Sequence, residues 1–161
     1  AEKTGKFLPA KTDKARGELL SWMFFVSSGV GPYSGQAVHF KNYAPEKLPY
    51  AIDRYVKETA RLYAVLNKHL GAMDQAGREY IAGDYSIADM ASYPWIVPHE
   101  KQGQMLEDFP HLAAWFERVR SRPATVRAFA RAKEVSTAPV VDEASRKVLF
   151  GQDSATIRTG S

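Results

Sequence analysis

The residues from which this sequence could build chemistry are four histidines, a serine- and glycine-rich run from Ser27 to Gly35, a carboxylate at Asp89 and an arginine at Arg61. His39, His69, His99 and His111 are far apart, and none lies four residues from another, the spacing that puts two imidazoles on one helix face. No metal site is predicted. His99-Glu100 is a lone adjacent pair at a helix end, suited to solvation or packing. Ser27, Ser28 and Ser34 lie among glycines, but none stands in a strand-to-helix turn with an assigned base, so there is no nucleophile elbow. Gly29, Gly31 and Gly35 would cradle a phosphate only after a strand and within a βαβ unit. No strand precedes them and Pro32 lies among them, so they read as a break where two helices or a ligand pack closely. The chain has no cysteine, which removes disulfides, thiolate metal sites and a thiol nucleophile. Any sulfur redox chemistry must use the sulfur of another molecule, and no catalytic residue is assigned.

Asp89 closes the run Ser86-Ile87-Ala88-Asp89, in which the Ser86 side chain accepts from the Asp89 amide and the Asp89 carboxylate accepts from the Ser86 amide. Tyr85 and Met90 flank it as a hydrophobic staple. This box explains the carboxylate structurally, and losing either member is expected to cost on the order of 1 kcal/mol of stability. Trp22, Phe24, Phe25, Tyr33, Phe40 and Tyr43 form an aromatic set able to wall an apolar pocket, although most such residues serve as core. Arg61 lies about 180° from the apolar stripe through Ile52, Thr59 and Leu66, so periodicity alone places it on a solvated basic face with Arg54 and Lys57.

The elements that must position these groups are helical. Leu19, Leu20, Met23, Phe24 and Val26 form a first stripe, which the Gly-rich segment is expected to stop before a shorter helix over Tyr33 to Phe40. A long amphipathic helix starts at Pro49 and carries Ile52, Tyr55, Val56, Thr59, Leu62, Tyr63, Leu66 and Leu70 on one face, with Gly71 expected to end it. The helix after Ser86 holds Met90, Tyr93, Trp95, Ile96 and Val97 and is expected to be buried on several sides, with Pro94 and Pro98 bending or ending it. Pro110 and Pro123 open two more short helices. Beyond Val135 the pattern weakens to one possible helical turn near Asp142 to Leu149.

With 45% hydrophobic and 12% aromatic residues, 161 residues suffice for one cored domain of all-α class. The net charge of +4 comes from acids and bases that alternate, without the clustered patch and aromatic platforms of a nucleic-acid surface, and no run is long and apolar enough to span a bilayer.

Several segments together resemble a known family. Leu20-Ser21-Trp22-Met23-Phe24-Phe25, Gly31-Pro32-Tyr33-Ser34-Gly35-Gln36, Pro49 to Tyr55 and Glu58 to Tyr63 are similar to nu-class glutathione transferases, near their yeast prion-like relatives. Tyr85 to Met90, Tyr93-Pro94-Trp95 and Arg120 to Ala124 match the same group, and the likeness covers about residues 1 to 132.

The resemblance implies a C-terminal-domain bundle of five to six helices with a C-terminal tail. Residues 1–10 would be the remnant of a thioredoxin-like domain and its linker, 11–133 the helical domain, and 134–161 an extension folded over the pocket. Glutathione enters as a substrate, without a metal. The intact protein would be a cytoplasmic homodimer that conjugates small hydrophobic electrophiles or reduces disulfides, while this chain alone would be inactive. Trp22, Phe25, Tyr33 and Gln36 would line the electrophile pocket, and Arg61 would reach the partner subunit's glutathione. A second class weighed beside it is a non-catalytic protein-interaction module, which predicts no glutathione affinity.

Overall fold

In the computed structural model, residues 1–135 and 142–151 are described. They hold seven α-helices and no strand, only isolated bridges pairing Tyr80 with Gly83 and Ala82 with Asp84. The all-α class is as expected. The chain divides into two compact units, Ala1–Arg122 and Pro123–Ser161.

In the first unit, α1 (Asp13–Phe25) starts at Thr12, whose hydroxyl accepts from the Ala15 amide at 3.2 Å. The Gly-rich segment does not break it. A π-turn, Val26–Val30, carries the axis into α2 (Gly31–Val38), and a second one, His39–Tyr43, extends it further. The Gly31 amide reaches back five residues to the Val26 carbonyl, so one extra residue is absorbed without leaving helical dihedrals. The hydroxyls of Ser27 and Ser28 donate to the Met23 and Phe24 carbonyls at 2.8 and 2.6 Å, covering acceptors of the widened turn. Gly31 is small for a different reason than a helix stop: a Cβ there would lie 3.1 Å from the Trp95 indole. The rod ends where Ala44 turns extended (ψ 131°) before Pro45.

Helix α3 (Pro49–Gln75) runs past Gly71, where an end was expected. Gly71 is buried, and a Cβ on it would sit 2.9 Å from the His111 ring, so here too the glycine allows close approach within a continuing helix. The actual stop is Gly77 at φ +69°, with the Arg78 amide returning to the Met73 carbonyl. Helix α4 (Ile87–Ile96) contains Pro94 and is followed by α5 (Pro110–Arg120). Pro110 opens α5, and Asn67 of α3 caps it from outside, its side-chain oxygen accepting from the His111 and Leu112 amides at 2.9 and 3.0 Å. Helix α4 is less enclosed than its composition predicts: Tyr93 and Ile96 are buried, whereas Met90, Trp95 and Val97 are exposed. The core gathers Leu19, Leu62, Tyr63, Leu66, Leu70, Ile96, Leu112, Trp115 and Val119 from α1, α3, α4 and α5.

The second unit holds α6 (Pro123–Val135) and α7 (Glu143–Phe150). The Asp142 carboxylate accepts from the Ser145 amide at 2.7 Å, which accounts for the helical turn read near Asp142. The expected extension over the pocket falls largely on 136–141 and 152–161, outside the described residues.

Candidate functional site

The predicted site residues fall on α1, α2 and α3, on and beside the long rod. Trp22 and Phe25 are half-buried and meet edge to face, with ring centroids 5.3 Å apart. Trp22 also lies against His69 of α3, at 4.0 Å between ring centres. The Nε2 of His69 is 2.7 Å from the Ile81 carbonyl, which identifies that nitrogen as the protonated one and orients the ring. Tyr33 keeps different company: its ring is 6.3 Å from Tyr55, which in turn stacks on Phe40 at 5.4 Å. Gln36 is exposed on α2.

Arg61 points away from its own core, as its position in the helical cycle requires, but it is not merely solvated. Its Nε and Nη2 donate to both carboxylate oxygens of Glu58, at 2.9 and 2.7 Å. This fork holds the Glu58 carboxyl below its ordinary range and raises the guanidinium, with Tyr33 close enough to add to the second shift. Nη1 is left over for another acceptor. Lys57, on the same exposed face, pairs with Asp53 at 2.8 Å one turn earlier. The i, i+3 spacing of Glu58 and Arg61 was the available signal for this pairing. Nothing in the spacing signals His69 beside Trp22, because 47 positions separate them and only the tertiary fold brings the two rings together.

Asp89 is fully buried and does more than close a box. Its Oδ2 accepts from the Ser86 amide at 2.9 Å and from the Ser86 hydroxyl at 3.2 Å. The Ser86 hydroxyl itself accepts from the Ala88 amide at 3.2 Å. The other oxygen, Oδ1, accepts from the Ile81 amide at 3.1 Å and from the Trp115 indole N–H at 2.8 Å. Burial raises the pKa of this carboxyl, and the donated hydrogen bonds act against that shift. Through these four donated hydrogen bonds the carboxylate joins α4, the 81 turn and α5.

His111 Nδ1 sits 3.0 Å from an Asp74 oxygen, and His99 Nδ1 is 3.1 Å from the Gln104 carbonyl. No group of three His, Cys, Asp or Glu residues able to hold a metal is found among the described residues, and no described helix is long and apolar enough to cross a membrane.

With α1 to α5 and the capping box in place, residues 22–123 match the family "Glutathione S-transferase, C-terminal domain". The chain belongs to that family. It is similar to the disulfide-bond oxidoreductase YfcG of Escherichia coli (strain K12), 46% identical over 133 residues, covering 83% of this chain and 60% of that protein. Among solved structures it resembles a glutathione transferase family member from Pseudomonas fluorescens Pf-5 with two glutathione bound, at 36% identity and a TM-score of 0.68, covering 79% of this chain and 57% of that one. It also resembles the yeast prion protein Ure2p in complex with glutathione, at 28% identity and a TM-score of 0.73, covering 79% of this chain and 61% of that one. The chain spans 60% of the length of the first of these relatives and about half the length of others it matches.

Proposed function

We propose that this chain is the helical domain of a nu-class glutathione transferase whose whole protein reduces disulfides with two glutathiones, or conjugates glutathione to small hydrophobic electrophiles. The reading is carried by the 46% likeness to a protein named a disulfide-bond oxidoreductase, joined to a structural neighbour holding two glutathiones. In such a reduction two glutathione thiols give up two protons and two electrons, forming oxidised glutathione and leaving the substrate as two thiols. The absence of cysteine in this chain fits a scheme in which glutathione supplies all the sulfur.

Within that scheme a thioredoxin-like domain preceding residue 10 would supply thiol activation and most glutathione contacts. Residues 11–133 would give the helical wall, with Trp22, Phe25, Tyr33 and Gln36 facing the electrophile or disulfide, and residues 134–161 would extend from it. The whole protein would work as a cytoplasmic homodimer, with the unused edge of Arg61 turned toward the partner subunit's glutathione.

The test compares the 161-residue chain alone with the chain joined to a thioredoxin-like domain of a relative, using hydroxyethyl disulfide and chlorodinitrobenzene as substrates. The chain alone is expected to turn over neither, and the joined protein to reduce the disulfide with two glutathiones consumed per turnover. Robust turnover by the purified chain alone, or a folded joined protein without glutathione affinity, overturns the proposal; the second outcome returns the domain to the protein-interaction class.

A further inference from the structure

Just past the end of α5, Arg122 is half-buried and stacked on aromatic rings, yet no carboxylate among the described residues pairs with it. Its guanidinium carbon lies over the Tyr85 ring, 3.6 Å from the centroid, with the Tyr80 ring beside it at 5.8 Å. Of the five N–H donors a guanidinium carries, one is used, Nη1 donating to the Tyr80 hydroxyl at 3.2 Å. Nε is buried without an acceptor, which confines any further partner to the Nη edge. A charge half-covered by the fold and left unmet is costly, and such groups in native structures have a reason.

Arg118 shows what compensation looks like a few ångströms away. It lies on the same Tyr80 ring at 5.9 Å, donates to the Glu79 carbonyl, and sits 3.9 and 3.8 Å from the carboxylates of Asp74 and Glu79. Arg122 therefore carries the one positive charge of this stack that nothing answers. Held by Tyr85, its guanidinium offers a planar edge of N–H groups, the shape that matches a carboxylate. A single carboxylate balances one charge, whereas a phosphate dianion would exceed it.

The segment at the start of the chain indicates where that carboxylate comes from. Glu2 pairs with Arg16 of α1, and Phe7 meets Tyr85 edge to face with ring centroids 6.0 Å apart. Phe7 holds φ +63°, a conformation strained for any residue but glycine, and from it the Phe7 carbonyl accepts from the Ile87 amide of α4 at 3.1 Å. Residues 1–7 are thus fastened beside the Tyr85–Arg122 stack, and they are the residues read as the end of a thioredoxin-like domain. We infer that Arg122 is a docking point for that domain, its Nη edge receiving one Asp or Glu side chain from it. The inference rests on the reading that such a domain precedes this chain.

The test compares the 161-residue chain with the joined two-domain protein, each as wild type, Arg122→Gln and Arg122→Lys. Trypsin cleavage after Lys6 and Lys11, both exposed, reports release of the linker, and the Arg122–Pro123 bond is itself resistant, so the variants change no cleavage site. In the joined protein Arg122→Gln should speed linker cleavage about tenfold, the worth of one charge-assisted hydrogen bond, and Arg122→Lys by less. In the chain alone neither variant should change it. The Arg122 side-chain N–H resonances should move when the domains are joined and stay in place when acetate is added to the chain alone. Equal acceleration in both proteins would make Arg122 a purely internal support, and a full shift with acetate would assign its edge to a free acid; either overturns the inference. Glutathione affinity, measured on the same joined samples, separates the two levels. Unchanged cleavage in a joined Arg122→Gln protein that binds glutathione sinks the docking role alone, whereas a joined wild type without glutathione affinity sinks the reading beneath it.

Discussion

Replacing Asp89 by alanine removes an acceptor that three parts of the first unit share, and the structure sets the cost. The local part is the box with Ser86, worth about 0.5–2 kcal/mol as a helix cap. Two further donors come from outside it, the Ile81 amide at 3.1 Å and the Trp115 indole N–H at 2.8 Å. Ile81 and Trp115 are fully buried, so neither N–H regains a partner when the carboxylate goes, and each buried donor left unmade costs about 1–3 kcal/mol. Some of this is returned, because removing Asp89 also removes a carboxylate whose burial is unfavourable. A net loss of about 3–5 kcal/mol follows, a large share of the roughly 5–15 kcal/mol that holds a domain together. Ser86→Ala, which keeps both outside donors satisfied, should cost only about 1 kcal/mol. Urea unfolding followed by far-ultraviolet circular dichroism measures both, provided the slope is unchanged. In the double variant Asp89→Ala, Trp115→Phe the losses should be less than additive, since the second change deletes the donor that the first one strands. Equal destabilisation by Ser86→Ala and Asp89→Ala would refute the reasoning and reduce Asp89 to a cap.

Arg61→Ala in a two-domain dimer should weaken glutathione binding about tenfold to a hundredfold, the worth of one charge-assisted hydrogen bond; calorimetric titration with the dimer state checked by sedimentation measures it, and equal affinities would confine Arg61 to Glu58. Because the Arg61 fork depresses the Glu58 carboxyl below its ordinary value, the pair contributes above the unfolded value and is lost as pH falls through the lower folded one; a carbon-13 titration of the Glu58 carboxyl should place its midpoint below that of an unstructured peptide, and a midpoint at or above it contradicts the fork. Gly83→Ala should cost about 1–2 kcal/mol, since a Cβ is strained at φ +96° and would meet the Arg78 guanidinium; an unchanged melting temperature would show that the turn relaxes.

The helical class, the starts of α3, α5 and α6 at their prolines, and the box at Ser86 were legible in the sequence because each depends on residues within one or two turns of each other. So was the direction of Arg61, which the 100° step of the helix fixes. The glycines misled for a physical reason. Close packing at Gly31 is as read, with Trp95 against it, but the helix break expected there does not occur, and Gly71, read as a helix stop, is likewise a point where another element, the His111 ring, comes close. Only the partner tells the two uses of glycine apart, and the partners lie 64 and 40 positions away in the chain. The exposure of Met90, Trp95 and Val97 was hidden in the same way, because side-chain bulk records what a residue can bury and not which side of its helix the fold covers. The pairing of Trp22 with His69 and the two long-range donors to Asp89 were decided by tertiary structure alone. Each joins segments whose separation along the chain leaves no period to read, and whose meeting follows from how α1, α3, α4 and α5 pack.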